Sequence, residues 1–143
     1  MEPVQSSLCF LGYNAELLRF ETREPAIRPS GDSVTLSASF LCEVNQENQE
    51  NQYSLRLGTK IDQPDIPFYV EVILLGHFTV NGNTDDIDQI MKVNAAAILY
   101  PYVRSTLSTM TNLAGIPPIT LPTLNIAQMF QNERQADAKS QKN

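Results

Sequence analysis

Residues 34 to 44 alternate with a period of two. Val34, Leu36, Ala38, Phe40, Cys42 and Val44 are apolar, and the positions between them are polar except Leu41. Side chains at that spacing share one face of an extended chain, so the pattern predicts a second strand, after an N-terminal one, with one face buried. Tyr53 to Ile61 repeats it, with Tyr53, Leu55, Leu57 and Ile61 on the inward side. Asn45 to Gln52 lies between the two and consists of Asn, Gln and Glu alone. It reads as a solvated hairpin loop, too short and too charged for Asn/Gln-type aggregation.

Phe68 to Val80 is longer and different. Phe68, Val70, Val72, Leu74, Phe78 and Val80 form an apolar face broken only by Gly76, while Tyr69, Glu71, Ile73, Leu75, His77 and Thr79 make a mixed one. A strand apolar on both sides is normally covered on both. Val70, Val72 and Leu74 are therefore assigned to a core or oligomer face, and another subunit or a ligand is the expected cover. The N-terminal strand, within Ser7 to Thr22, is also two-sided and is expected to be interrupted around Gly12 to Asn14. Pro25 and Pro29 then start an irregular crossover.

After residue 82 the period changes. Thr84 is a candidate cap, with Asp85 and Asp86 favourable at the positive end of a helix dipole. Leu99, Val103, Leu107, Met110 and Leu113 are spaced by four and three, one helical face, with Asn94, Arg104, Ser108, Thr111 and Asn112 polar elsewhere. Pro101 falls inside this pattern. An interior proline removes a hydrogen bond and crowds the preceding turn at roughly 3 kcal/mol, so the helix is expected to kink or start afresh there. Gly115 to Pro122 forms an apolar loop stiffened by Pro117, Pro118 and Pro122. Asn125 with Gln128 suggests a capping box, Leu124 and Met129 a hydrophobic staple, and Ile126, Met129 and Phe130 the face of a short helix. Residues 133–143 are polar and are expected to fray or stay disordered. The expected architecture is α+β: a four-stranded antiparallel sheet, one long kinked helix and a short C-terminal helix, in a single domain over residues 1–132.

Sixteen acidic and ten basic residues give a net charge of −6, without a basic stripe. That argues against a nucleic-acid partner, which needs clustered Lys and Arg, but leaves basic protein segments as partners. No apolar run approaches the roughly 18 residues of a membrane span. The Met1 to Gln5 start is acidic, and Leu8 to Leu11 is too brief for a signal-peptide core. The chain reads as cytoplasmic, with Cys9 and Cys42 as reduced, buried thiols. Catalytic chemistry finds little support. His77 is the sole histidine, Gly58, Gly76, Gly82 and Gly115 are isolated, and Asp85, Asp86 and Asp88 lack a calcium-loop pattern. Neither an enzyme nor a cofactor is expected.

Ile98-Leu99-Tyr100-Pro101-Tyr102-Val103-Arg104, Ile116-Pro117-Pro118-Ile119-Thr120-Leu121-Pro122 and Leu124-Asn125-Ile126 resemble, in order, spacing and residue class, the C-terminal half of the SecB family of export chaperones. Phe78 to Gly82 also resembles the end of that family's fourth strand, and the likeness extends over residues 68 to 130. It implies a dimer of dimers, with helices buried between sheets, and an ATP-independent holdase that keeps client proteins non-native before export. It implies a client groove walled by Val34 and Leu36, by Ile116, Ile119 and Leu121, and by Met129 and Phe130. It further implies docking of the export motor SecA at Glu71, beside Tyr69. The matching first-strand positions, Asn14 and Leu18, are not acidic. A SecB-like chaperone dedicated to one client, such as an antitoxin, shares the same fold and groove. A small enzyme or ligand-binding protein on a similar sheet is the third alternative.

Overall fold

The computed structural model describes residues 7–26, 34–82 and 85–123. Strands β1 (Ser7–Thr22), β2 (Ser39–Gln46), β3 (Gln52–Asp62) and β4 (Phe68–Asn81) form one antiparallel sheet in the order β1-β4-β3-β2. The helical segment runs on from α1 (Ile87–Gln89) through a π-helical stretch (Ile90–Ala95) into α2 (Ala96–Leu113). It lies across one side of the sheet. The period-two series of β3 and β4 meet it there: Leu55, Leu57, Ile61, Val70, Val72, Leu74, Phe78 and Val80 are at most 1% exposed. From the helix come Met91, Ala95, Leu99, Val103 and Leu107, all fully buried. At Gly76 the helix comes close: a Cβ there would lie 2.9 Å from Phe78 Cε2 and 3.0 Å from Leu99 Cδ2. Glycine makes the room that lets Leu99 reach the sheet.

Several local expectations are corrected. The N-terminal strand is not interrupted; β1 is continuous, with register shifts between Phe10 and Gly12 and between Ala15 and Leu17. Each inserts one extra residue, Leu11 and Glu16, and the positive φ of Gly12 (119°) accommodates the first. The second strand begins at Ser39, not Val34. Continuing its register would set Thr35 opposite Pro64, which has no N–H to give to a ladder, and β3 has already ended at Asp62.

The helix begins at Ile87, with Asp86 at the N-cap, while the proposed cap Thr84 lies outside the described residues. Of the two outcomes expected at Pro101, a kink or a fresh start, the fresh start does not occur, because the long helix α2 passes through that residue uninterrupted. Pro101 and Ala97, whose carbonyl loses its partner, are both exposed, so water reaches the freed group. Finally, Leu113 is 80% exposed, Thr111, read as polar, is fully buried, and Cys9, expected to be buried, is exposed at the β1 edge of the sheet while Cys42 is half-buried. The short helix around Ile126 and the tail 133–143 lie outside the described residues.

On the opposite side of the sheet the outward residues are largely polar and paired. Arg56 on β3 holds Glu16 of β1 at 2.9 Å and also pairs with Glu43 of β2. Glu16 is the extra residue of the second bulge, so the bulge aims its carboxylate across the sheet. His77 Nε2 and Asn14 Oδ1 are 2.8 Å apart.

Candidate functional site

Beside the core, on the helix side, the apolar surface opens into a groove of about 280 Å³ lined by Leu36, Ala38, Phe40, Ile61, Ile119, Thr120, Leu121 and Pro122. Its floor is regular structure, since Phe40 lies on β2 and Ile61 on β3. Neither wall is. One wall is the extended segment 34–38 that precedes β2; the other is the proline loop that follows α2.

The loop leaves the helix through a C-terminal motif set by Gly115, whose φ is +86°. Gly115 N–H donates to Asn112 C=O at 3.1 Å and Ile116 N–H to Thr111 C=O at 3.2 Å. These are the two bonds by which a left-handed residue closes a helix end. The loop then turns back along α2, where side chains hold its backbone. Thr111 Oγ1 accepts from Ile119 N–H at 2.9 Å, Arg104 Nε donates to Leu121 C=O at 2.9 Å, and Tyr100 Oη donates to Pro122 C=O at 2.7 Å. Burial raises the Tyr100 pKa, which keeps the hydroxyl a donor. On the other wall the Gln63 amide replaces the missing ladder. Its Nε2 donates to Thr35 C=O at 3.0 Å and its Oε1 accepts from Ser37 N–H at 2.5 Å.

The residues named for the client groove fall in several places. Leu36, Ile119 and Leu121 line the groove, with Leu36 39% and Leu121 4% exposed. Val34 is half-buried against the core, and like Leu36 it precedes β2 instead of belonging to it. Ile116 faces a neighbouring hollow of about 460 Å³ with Phe20 and Phe68, whose rings stack at 5.7 Å. Met129 and Phe130 lie outside the described residues. Sequence reasoning missed Ala38, Phe40 and Ile61 as lining, although all three sit in the period-two series that predicted the strands. It missed Gln63, Tyr100 and Thr111 for a better reason: no periodicity marks a side chain that bonds a distant backbone.

Tyr69 and Glu71 stand together on the outward side of β4, with the Tyr69 hydroxyl donating to Glu71 Oε1 at 2.7 Å. Burial, then this bond to the carboxylate, pushes the Tyr69 pKa up to about 12. In the ladders Glu71 is opposite Arg19 on β1 and Lys60 on β3, and the Arg19 guanidinium lies 4.7 Å from the Tyr69 ring centre. Glu71 thus has a cationic residue beside it on each neighbouring strand, although the Arg19 guanidinium is bonded to Glu21 at 3.1 Å. Val70, Val72 and Leu74 point the other way, into the single-chain core. The large exposed apolar side chains include Leu11, Tyr13 and Leu18 on β1 and Ile98 and Tyr102 on α2, with the Tyr13 and Tyr102 rings 4.8 Å apart. Among the described residues no group of three or more His, Cys, Asp or Glu side chains is placed to hold a metal, and no helix is long and apolar enough to cross a membrane.

A four-stranded antiparallel sheet with one long helix across it is a SecB-like fold. The model of the family described as preprotein translocase subunit SecB matches residues 29–137, and the chain belongs to the SecB family. An uncharacterized protein of Methanocaldococcus jannaschii, MJ0357, is 31% identical over 136 residues, covering 91% of this chain and 86% of that one. The protein-export protein SecB of Chromobacterium violaceum is 35% identical over 74 residues, 51% of this chain and 49% of its own length. The match thus spans about half of that curated relative. In three dimensions the chain is similar to the SecB-like chaperone Rv1957 of Mycobacterium tuberculosis, solved with a ChAD peptide from the Rv1956 HigA1 antitoxin. The TM-score is 0.64 at 16% identity, covering 82% of this chain and 89% of that one. At that identity the likeness shows the fold.

Proposed function

We propose that this protein is an ATP-independent holdase that binds non-native polypeptide segments in the groove between residues 34–38 and the proline loop. The observation that carries the reading is the groove itself: apolar lining, open to solvent, in a chain of the SecB family. A protein that binds unfolded chains in preference to folded ones draws its clients toward the unfolded state, and many weak contacts suffice without nucleotide. The named export relatives support delivery of these clients for export. Val34, Ile116, Met129 and Phe130 extend the proposed contact surface beyond the groove, as the resemblance implies.

The test is a titration of a permanently unfolded, reduced and carboxymethylated protein against wild type and Ile119→Ser. Client binding is expected to fall tenfold or more, about 1.4 kcal/mol, with little change in melting temperature. Unchanged affinity would remove the groove from the reading.

A dedicated chaperone with a single client is the second reading. What favours it is the setting of Glu71, which accepts the Tyr69 hydroxyl at 2.7 Å and has cationic residues, Arg19 and Lys60, opposite it in both ladders, where an acidic docking surface would need a cluster of free carboxylates. Pull-down from cytosol separates the two: a heterogeneous set of precursors supports the export role, one dominant partner the dedicated one. Under the export reading Glu71→Lys weakens SecA binding at low salt.

Self-association belongs to the same proposal. Leu11, Tyr13, Leu18, Ile98 and Tyr102 give a monomer a sizeable apolar surface that a second copy would cover. Light scattering at micromolar concentration is expected to exceed the 16.0 kDa monomer mass.

A further inference from the structure

Each wall of the groove is backbone that no ladder holds, and each is fixed by polar side chains from the rigid part of the fold. Thr111 does most of this on the loop side. Its hydroxyl accepts from Ile119 N–H at 2.9 Å and donates its one proton to Leu107 C=O at 2.9 Å, with Ser108 C=O at 3.2 Å. Its carbonyl accepts from Ile116 N–H at 3.2 Å. Two loop amides, three residues apart, are thus attached to one helical residue that is fully buried. Prolines at 117, 118 and 122 offer no N–H of their own, which leaves the loop few donors for a strand-like ladder. Across the groove Gln63 bonds both Thr35 and Ser37, the residues on either side of Leu36.

We propose that Thr111 and Gln63 are the positioning residues of the groove: they hold its two walls apart so that half-exposed apolar side chains meet a client instead of each other. Two facing apolar walls on free backbone would collapse together, because contact removes both from water. A wall anchored beforehand keeps its lining available and leaves less backbone freedom to lose when a client arrives. Neither residue touches the client in this scheme. The inference rests on the groove being the client site, and its experiment separates the two ideas.

The experiment titrates the same reduced and carboxymethylated protein against wild type, Thr111→Val, Thr111→Ser, Gln63→Ala and Ile119→Ser, with amide exchange at Ile119 and melting temperature followed in parallel. Valine keeps the volume of Thr111 and removes the hydroxyl. Thr111→Val is expected to speed exchange at Ile119 and to weaken client binding at least fivefold. Thr111→Ser, which keeps the hydroxyl and loses a buried methyl, is expected to bind within twofold of wild type even where its melting temperature falls. A merely structural threonine would make affinity follow stability, with serine and valine alike. Gln63→Ala acts at the exposed wall, carries the test if Thr111→Val does not fold, and is expected to weaken binding to a similar degree. Wild-type affinity in Gln63→Ala and Thr111→Val, with Ile119→Ser weakened, overturns the positioning role and leaves the groove standing. Wild-type affinity in Ile119→Ser overturns the groove reading itself.

Discussion

The core under α2 and the groove beside it are made of the same aliphatic and aromatic side chains, yet one is shut and the other open. What differs is the backbone beneath. Val72 and Leu57 ride on interior strands with neighbours on both sides, and the helix closes over them until they are at most 1% exposed. Leu36 and Ile119 ride on segments outside the ladder, held from a distance by Gln63 and Thr111. Ladder hydrogen bonds repeat at every other residue and bring side chains into register for close packing. Isolated side-chain bonds fix a segment at one or two points and leave a gap between it and its neighbour. The same apolar surface becomes core in the first case and binding surface in the second.

The most forceful way to break this contrast is a charge at a closed position. Val72→Asp places an unpaired carboxylate where exposure is 0%, and the loss is expected to exceed about 4 kcal/mol, seen as insoluble chain or a urea midpoint near zero. A stable, folded Val72→Asp would mean that the sheet is not sealed. Truncating two leucines of the groove sharpens it further. Leu121 is 4% exposed and Leu36 39%, so Leu121→Ala should cost about 2–3 kcal/mol and Leu36→Ala less than about 1 kcal/mol in denaturant unfolding. Equal losses would show that the groove is closed in solution.

The glycines extend the comparison to the two sides of the sheet. A Cβ on Gly58 would lie 2.6 Å from the backbone oxygen of Val72, whereas one on Gly76 meets only the far ends of Phe78 and Leu99. Gly58→Ala is expected to cost about 1–3 kcal/mol and Gly76→Ala less, because side-chain ends can shift and a ladder carbonyl cannot. The smallest effect is expected on the outward face. The Tyr69 pKa, raised to about 12, lies above the ordinary tyrosine value near 10. Its contribution to stability is therefore fully present below about pH 10 and is lost as pH rises through about 12. Thermal melts of Tyr69→Phe and wild type should converge as that range is crossed, and ultraviolet titration of the two proteins should assign one of the late-ionising tyrosines to Tyr69.

Much of this was legible in the chain. The alternation in Tyr53 to Ile61 and Phe68 to Val80 identified which side of each strand faces inward, and the spacing of Leu99, Val103 and Leu107 identified the helical face. Local rules suffice there because a regular element carries its own period. They failed where an element ends or changes register. The bulges at Leu11 and Glu16 look like an interruption when only the period is followed. Val34 to Ala38 keeps perfect alternation and is not a strand, because its would-be partner turns away at Pro64. Leu113 keeps the helical spacing and is exposed, because the buried stripe of α2 runs Leu99, Val103, Leu107, Thr111 at steps of four and leaves Leu113 in the last turn to one side of it.

Strands, covering helix and family membership can all be read along the chain, since each is written in patterns that need only near neighbours in sequence. The order of the strands, the exposure of Leu36, and the anchoring of the proline loop by Thr111 were decided by the tertiary structure. Those depend on contacts between residues 8 to 28 positions apart, such as Ile119 with Thr111 and Gln63 with Thr35, and no local period records such a pairing.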